Sequence, residues 1–184
     1  RAEKSLDERR KQRLAFFCNV DEKDVISNPD VDNIYKVPLI LEEQKMVERI
    51  LAKVGLKAKK RDLRQWKDFV KKIDEIEKNP ENEVNIGIVG KYQKTGDYNL
   101  PDSYISVIQA IKHAAWHLGK KAKIVWINSE DIEEGSKLED LFKDIKGIIV
   151  PGGFGDRGIE GMITAIKYAR EKKIPYLGLC YGMQ

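Results

Sequence analysis

Cys180 stands between two glycines in Gly178-Leu179-Cys180-Tyr181-Gly182-Met183-Gln184, directly after the apolar run Ile174-Pro175-Tyr176-Leu177. The G-x-C-x-G spacing is the cysteine form of a nucleophile elbow, a sharp strand-to-helix turn that lifts a reactive side chain above a sheet. Glycine on both sides suits a backbone forced into a strained turn with little room for a Cβ. At the N-terminus of a following helix, the dipole favours thiolate, the nucleophilic form of the side chain. The competing explanation is a buried cysteine that ends a core strand. The paired glycines favour the elbow.

A second stretch follows another apolar run: Val150-Pro151-Gly152-Gly153-Phe154-Gly155-Asp156-Arg157-Gly158. Ligand loops of open α/β sheets lie beyond the carboxyl ends of the strands, so this loop and Cys180 are expected on one edge. Backbone N–H groups in a glycine-rich loop can point at a developing oxyanion with no side chain in the way. The N–H groups of Gly153 and Tyr181 are the expected donors. A tight turn that merely needs glycine would explain the loop alone, and the elbow one βαβ unit later tips the balance towards function.

Three other patterns fall short of the chemistry they suggest. Gly153 to Gly158 matches the dinucleotide fingerprint G-x-G-x-x-G, which requires an acidic residue about 20 residues on, at the end of the second strand. Cys180 occupies that place. Gly87-Ile88-Val89-Gly90-Lys91 is too short between its glycines for a phosphate-binding P-loop, and Tyr92 replaces the Ser or Thr that would meet magnesium. His113 and His117 share a helix face at i, i+4, but no Glu follows His113 and no third ligand is evident. They read as polar-face residues, and no metal site is expected in the chain.

The elements that would position these loops are legible from Val84 onward. Strands are expected at Val84–Val89, Ala122–Ile127, Gly147–Val150 and Tyr176–Leu179, with helices at Asp102–Leu118, Lys137–Lys143 and Ile159–Lys172 between them. Continuous apolar strands separated by helices imply a parallel sheet covered on both faces, hence an α/β fold. Before this region, residues 13–20 read as a short buried strand. A helix follows Val37-Pro38, carrying Met46, Val47, Ile50, Leu51 and Val54 on one face and ended by Gly55. Another runs from about Asp62, its N-cap, to Lys78, with Asn79-Pro80 beyond it. The basic run Lys57-Ala58-Lys59-Lys60-Arg61 reads as a solvated linker.

Bulk properties exclude several classes. The 184 residues are 41% hydrophobic and 35% charged, enough for a real core in one or two domains. A net charge of +4, from 34 basic and 30 acidic residues, makes no case for a nucleic-acid partner. Cys18 and Cys180 are too few for a disulfide framework, and a reducing cytoplasm is expected. No apolar run approaches the ~20 residues of a membrane span, and the charged opening, Arg1 to Arg13, is no signal peptide. The opening without methionine and the stop inside a motif read as a piece of a longer polypeptide.

Pro151 to Gly161, followed by Gly178 to Gln184, closely resembles the class I glutamine amidotransferase domain of the CTP synthases. The likeness extends to Phe17-Cys18-Asn19-Val20, Asp30-Val31-Asp32-Asn33-Ile34-Tyr35-Lys36-Val37-Pro38 and Gly90-Lys91-Tyr92. It implies a three-layer, flavodoxin-like parallel-sheet amidotransferase domain, incomplete at residues 84–184. Residues 1–56 would be the tail of a P-loop-type α/β synthetase domain, and 57–83 a linker with a helix. It implies an ATP- and Mg2+-dependent ligase that phosphorylates UTP and displaces the phosphate with ammonia from glutamine, giving CTP in pyrimidine biosynthesis. Cys180 would be the nucleophile, with Gly153, Phe154, Tyr181, Gly182, Met183 and Gln184 at glutamine-binding positions. Arg13, Pro29, Asp30 and Val31 would match nucleotide-contacting positions, and Arg157 would answer the allosteric activator GTP. CTP as feedback effector, a cytoplasmic homotetramer, and no nucleic-acid or membrane partner complete the implication. The family's His and Glu would follow Gln184 and its P-loop and magnesium ligands precede Arg1, so the chain alone is expected to be inactive. Another class I amidotransferase, a non-catalytic nucleotide-binding scaffold and a redox-sensing cysteine domain are the alternatives.

Overall fold

The computed structural model describes residues 2–57, 59, 61–91, 94–95, 98–99, 101–153 and 155–183. Tyr92, Phe154 and Gln184 lie outside the described residues. The chain divides into two compact units, Arg1–Glu75 and Ile76–Gln184.

The first unit contains α1 (Glu8–Cys18), α2 (Val37–Glu43), α3 (Met46–Lys53) and the greater part of α4 (Arg64–Lys78). The strand expected over 13–20 is therefore the second half of a helix, and the local chemistry explains it. The Asp7 carboxylate caps the helix, accepting from the Arg10 backbone N–H at 2.8 Å, and also pairs with the Arg10 guanidinium. Lys11 and Glu8 add an i, i+3 pair. Asn19, in the left-handed region at φ 50°, closes the other end with its N–H on the Phe16 carbonyl. The caps prevail over the β propensity of the aromatic run, and the result leaves Phe16 82% and Phe17 75% exposed.

The loop after α1 is pinned by the Gln44 amide, which accepts from the Ser27 N–H at 2.8 Å and donates to the Ser27 carbonyl at 2.7 Å. Ala2 forms a parallel bridge with Pro29, its carbonyl accepting from the Asp30 N–H. The one helix expected after Val37-Pro38 is two, α2 and α3, because Lys45 takes a left-handed turn at φ 56° between them. At the start of α4 the Asp62 carboxylate accepts from the Arg64 N–H at 3.0 Å. Trp66 and Phe69 of α4 pack on the Tyr35 ring, and the Trp66 indole donates to the Tyr35 carbonyl at 2.9 Å. Lys36 lies 2.9 Å from Asp32 and from Asp74, which together hold its ammonium above the usual lysine range.

In the second unit come β1 (Glu83–Gly90), β2 (Lys94–Thr95), β3 (Tyr98–Asn99), α5 (Ile105–His117), β4 (Lys121–Asn128), α6 (Ser129–Glu133), α7 (Leu138–Leu141), β5 (Gly147–Val150), α8 (Ile159–Glu171) and β6 (Tyr176–Gly178). β2 and β3 pair antiparallel by themselves. The other four strands form one parallel sheet in the order β4-β1-β5-β6. Numbered by their own succession, they run 2-1-3-4, the flavodoxin-like order, with its switch point between β1 and β5.

Strand alternation sorts the two faces. Val89, Ile127, Ile148 and Val150 join Ile132, Phe142, Ile145, Met162, Ala165 and Ala169 in one core under α6, α7 and α8. The opposite face carries Ile86, Ile88 and Trp126 towards α5, where the Tyr104 ring lies 6.2 Å from that of Trp126. A three-layer α/β unit results. On the α5 side an apolar hollow of about 390 Å³ is lined by Ile111, Leu118, Ile149 and Leu177, among others.

Candidate active site

Every loop of interest leaves the carboxyl end of a strand. Lys91 follows β1, Ser129 follows β4, Gly152 to Gly158 follow β5, and Cys180 follows β6. This is the edge at which open α/β sheets bind ligands.

Cys180 opens a short 3-10 turn, Cys180–Met183. Its φ of 53° lies in the left-handed region, an unusual place for a residue with a Cβ and a mark of a constrained site. Several contacts impose it. The Leu179 N–H donates to the Val150 carbonyl at 2.9 Å, and the Gly182 N–H to the Leu179 carbonyl at 3.0 Å. The Tyr176 hydroxyl donates to the Gly182 carbonyl, and partial burial raises its phenol above the ordinary range. A Cβ on Gly178 would overlap the Gly182 carbonyl, and one on Gly182 would overlap that of Val150. Both flanks of the cysteine are thus glycine because backbone fills the space. The Cys180 side chain itself is exposed and belongs to no core.

The glycine-rich loop meets the cysteine at its first glycine. A Cβ on Gly152 would stand 2.8 Å from the Cys180 Cβ and 3.1 Å from its Sγ. The two motifs separated by 27 residues in the sequence are therefore in contact. Gly155 and Gly158 take φ of 78° and 75°, which a residue with a Cβ adopts only at a cost. Beyond them, the Gly158 and Gly161 Cα atoms pack so closely on Ser129 that a Cβ at either would overlap it. Arg157 pairs with Glu130 of α6, and Glu133 caps the first turn of α8 by accepting from the Gly161 N–H at 3.1 Å.

Of the other expected glutamine-site residues, Gly153 is partly buried, Tyr181 packs against the sheet core, Gly182 is buried and Met183 is 75% exposed. The sequence reading passed over the residues that hold the loop. Lys91 is 3% exposed and its Nζ donates to the Gly155 carbonyl at 2.5 Å. Its backbone N–H donates to the Tyr104 hydroxyl at 3.2 Å, and the hydroxyl end of that ring fills the place of a Cβ on Gly90. The signal was a lysine placed straight after a buried strand, where solvation is scarce. Ser129 and Glu133 announce themselves by nothing in the sequence.

In the first unit, Arg13 is exposed on α1, while Pro29, Asp30 and Val31 lie in the segment bridged to Ala2. A polar cleft of about 690 Å³, lined by Glu8, Lys11, Lys23, Gln44 and Arg49 among others, includes none of these four. Among the described residues no three His, Cys, Asp or Glu gather as a metal site, and no helix is long and apolar enough to cross a membrane.

Residues 99–184 match the family model of the class-I glutamine amidotransferases, and residues 1–56 match that of the CTP synthase N-terminus. The CTP synthase of Caldanaerobacter subterraneus is 47% identical over 184 residues, all of this chain and 32% of the relative. That of Desulfitobacterium hafniense is 47% identical over the same length, 33% of the relative, and that of Sulfolobus acidocaldarius 47% over 179 residues. The chain thus spans about a third of the length of these curated relatives. A solved structure of the Trypanosoma brucei CTPS glutaminase domain with bound acivicin is 38% identical, covers 55% of this chain and 38% of that one, and superposes with a TM-score of 0.46.

Proposed function

From a chain that belongs by sequence to the CTP synthase family, we propose the glutamine-hydrolysing site, and part of the nucleotide site, of an enzyme that aminates UTP to CTP at the expense of ATP. The contact between Gly152 and Cys180 carries the proposal, because it sets a strained, exposed thiol against a glycine-rich loop. Cys180 attacks the carboxamide carbon of glutamine as thiolate. The carbonyl oxygen becomes an oxyanion, held by the N–H groups of Gly153 and Tyr181. Collapse of the tetrahedral adduct breaks the C–N bond, the nitrogen leaves as ammonia once protonated, and a glutamyl thioester remains on Sγ. Water then cleaves the thioester to glutamate, and the ammonia serves the UTP amination. Phe154, Gly182, Met183 and Gln184 complete the glutamine pocket.

Residues 1–56 belong to the synthetase part, 57–83 to the linker and 84–184 to the amidotransferase part, a division supported by the two matched segments and by the β/α alternation that starts at Glu83. Arg13, Pro29, Asp30 and Val31 contact UTP or ATP, and Arg157, released from Glu130, meets the activator GTP. CTP is the feedback effector, and the enzyme is a cytoplasmic homotetramer. ATP is used with magnesium in the family, and the described residues supply no ligand set for that ion.

The test uses acivicin, the ligand named with the Trypanosoma brucei domain. In the complete protein that carries this chain, acivicin should label Cys180 stoichiometrically and stop ammonia release from glutamine. Cys180→Ser should lower that release by at least about 10³-fold. UTP amination with free ammonium should survive both treatments. Ammonia release that continues after full labelling of Cys180 would refute the assignment.

A further inference from the structure

The structure assigns Lys91 as the residue that positions the glycine-rich loop over Cys180, an inference that rests on the glutamine-hydrolysing site proposed above. The loop is fixed at both ends by contacts that do not involve the lysine ammonium. At its entry, the Val150 carbonyl is bonded to the Leu179 N–H and Gly152 abuts Cys180. At its exit, Gly158 is wedged against Ser129. Between these ends, Gly153 and Gly155 supply no side chain to anchor the backbone. Lys91 acts there. Its Nζ donates to the Gly155 carbonyl at 2.5 Å, from a side chain that is 3% exposed.

A charge-assisted hydrogen bond of this length is stronger and more directional than one between neutral groups. Burial of an ammonium is costly, so the lysine is retained only where its partners are well placed. Its position is also mechanically favourable. Lys91 follows β1 and Gly155 follows β5, so the bond spans the switch point of the sheet, where the connections leaving the two paired strands run to opposite faces. The lysine backbone is itself held by the Tyr104 hydroxyl, and Tyr104 is 4% exposed. The Gly155 carbonyl is thereby held two positions from Gly153, whose N–H is the proposed oxyanion donor. Displacing catalytic groups by about 1 Å costs on the order of 10²-fold in rate.

The experiment compares Lys91→Met and Lys91→Arg with the parent in the complete protein, by glutamine hydrolysis, thermal midpoint and alkylation of Cys180 with iodoacetamide. Met keeps the apolar stem and removes the donor, so kcat should fall by about 10²-fold while KM for glutamine changes less than about threefold. The Arg variant keeps a donor and should recover at least about a tenth of the parent kcat. Alkylation should match the parent, since it needs no oxyanion donor, and the thermal midpoint shows that each variant is folded at the assay temperature. Unchanged kcat in the Met variant overturns the inference, as does a rise in KM at constant kcat, which would place Lys91 on the substrate. If the Met variant does not fold, the Arg variant decides: a kcat equal to that of Lys91→Ala overturns the inference, and a higher one supports it. A parent protein that does not release ammonia from glutamine overturns the functional assignment together with this one.

Discussion

Three glycines of the second unit are glycine for different reasons, and substitution separates them. At Gly182 the obstacle is the Val150 carbonyl, part of a sheet strand, so the backbone has to move. Gly182→Ala should cost about 3 kcal/mol or more, the upper end of overpacking penalties, and should lose the elbow with it. At Gly152 the obstacle is the Cys180 side chain, 2.8 Å from the added Cβ. The nearest atom is the Cys180 Cβ, which side-chain rotation cannot move, so the turn at Cys180 has to shift by a few tenths of an ångström. Gly152→Ala should lower stability by about 1–2 kcal/mol, less than at Gly182. The same shift takes Sγ off its line of attack, and glutamine hydrolysis should fall by roughly 10²-fold. Gly119, at φ 67° with open space around it, is the control, where alanine meets only the left-handed penalty of about 1–2 kcal/mol. Urea unfolding and ammonia release, measured on the three variants, check the ranking. Equal stability losses at 152 and 182 would contradict the described geometry.

The elements that carry the loop are held by small residues as much as by large ones. α8 meets α6 at Gly161, where the Ser129 carbonyl fills the place of a Cβ, and continues with Ala165 and Ala169 buried against the sheet. Gly161→Ala should therefore lose at least about 2 kcal/mol by overpacking, although alanine is the better helix former. Ile163→Ala, on the exposed side of the same helix, should lose less than about 1 kcal/mol, and urea midpoints for the pair check the contrast. The parallel sheet was legible in advance because each of its strands is an apolar run bounded by polar helices; the expected and observed spans of β5 coincide at Gly147–Val150. Cys180 and the glycine-rich loop were legible because their chemistry is local. Residues 13–20 were not, since their aromatic and β-branched composition says strand while Asp7 and Asn19, outside the run, say helix. α6 was missed because five residues are too few to show a period. Lys91 escaped because its partner lies 64 positions away, a distance no local pattern spans.

At the scale of the whole molecule, the exposed apolar groups are the feature that a balanced composition does not announce. A chain with 35% charged residues still presents Phe16 and Phe17 to water on α1, beside Val20 at 44% exposure. In the second unit Leu118 and Leu177, at 74% and 52%, border the hollow beside α5. Contiguous apolar surface of this kind binds hydrophobic dyes and favours association, whereas scattered single residues do not. Stability and stickiness should then separate. Phe16→Ser with Phe17→Ser removes two aromatic rings that gain little from folding, so the urea midpoint should shift by no more than about 0.5 kcal/mol equivalent. Serine and phenylalanine have similar helix propensities, so α1 itself should persist. Fluorescence of an anilinonaphthalene dye bound to the folded chain should fall markedly, as should light scattering at high concentration. Leu177→Ser should lower the dye signal further through the second unit. A loss of stability above about 2 kcal/mol in the double phenylalanine variant would mean that the rings are buried in solution, as the strand expected from the sequence would require.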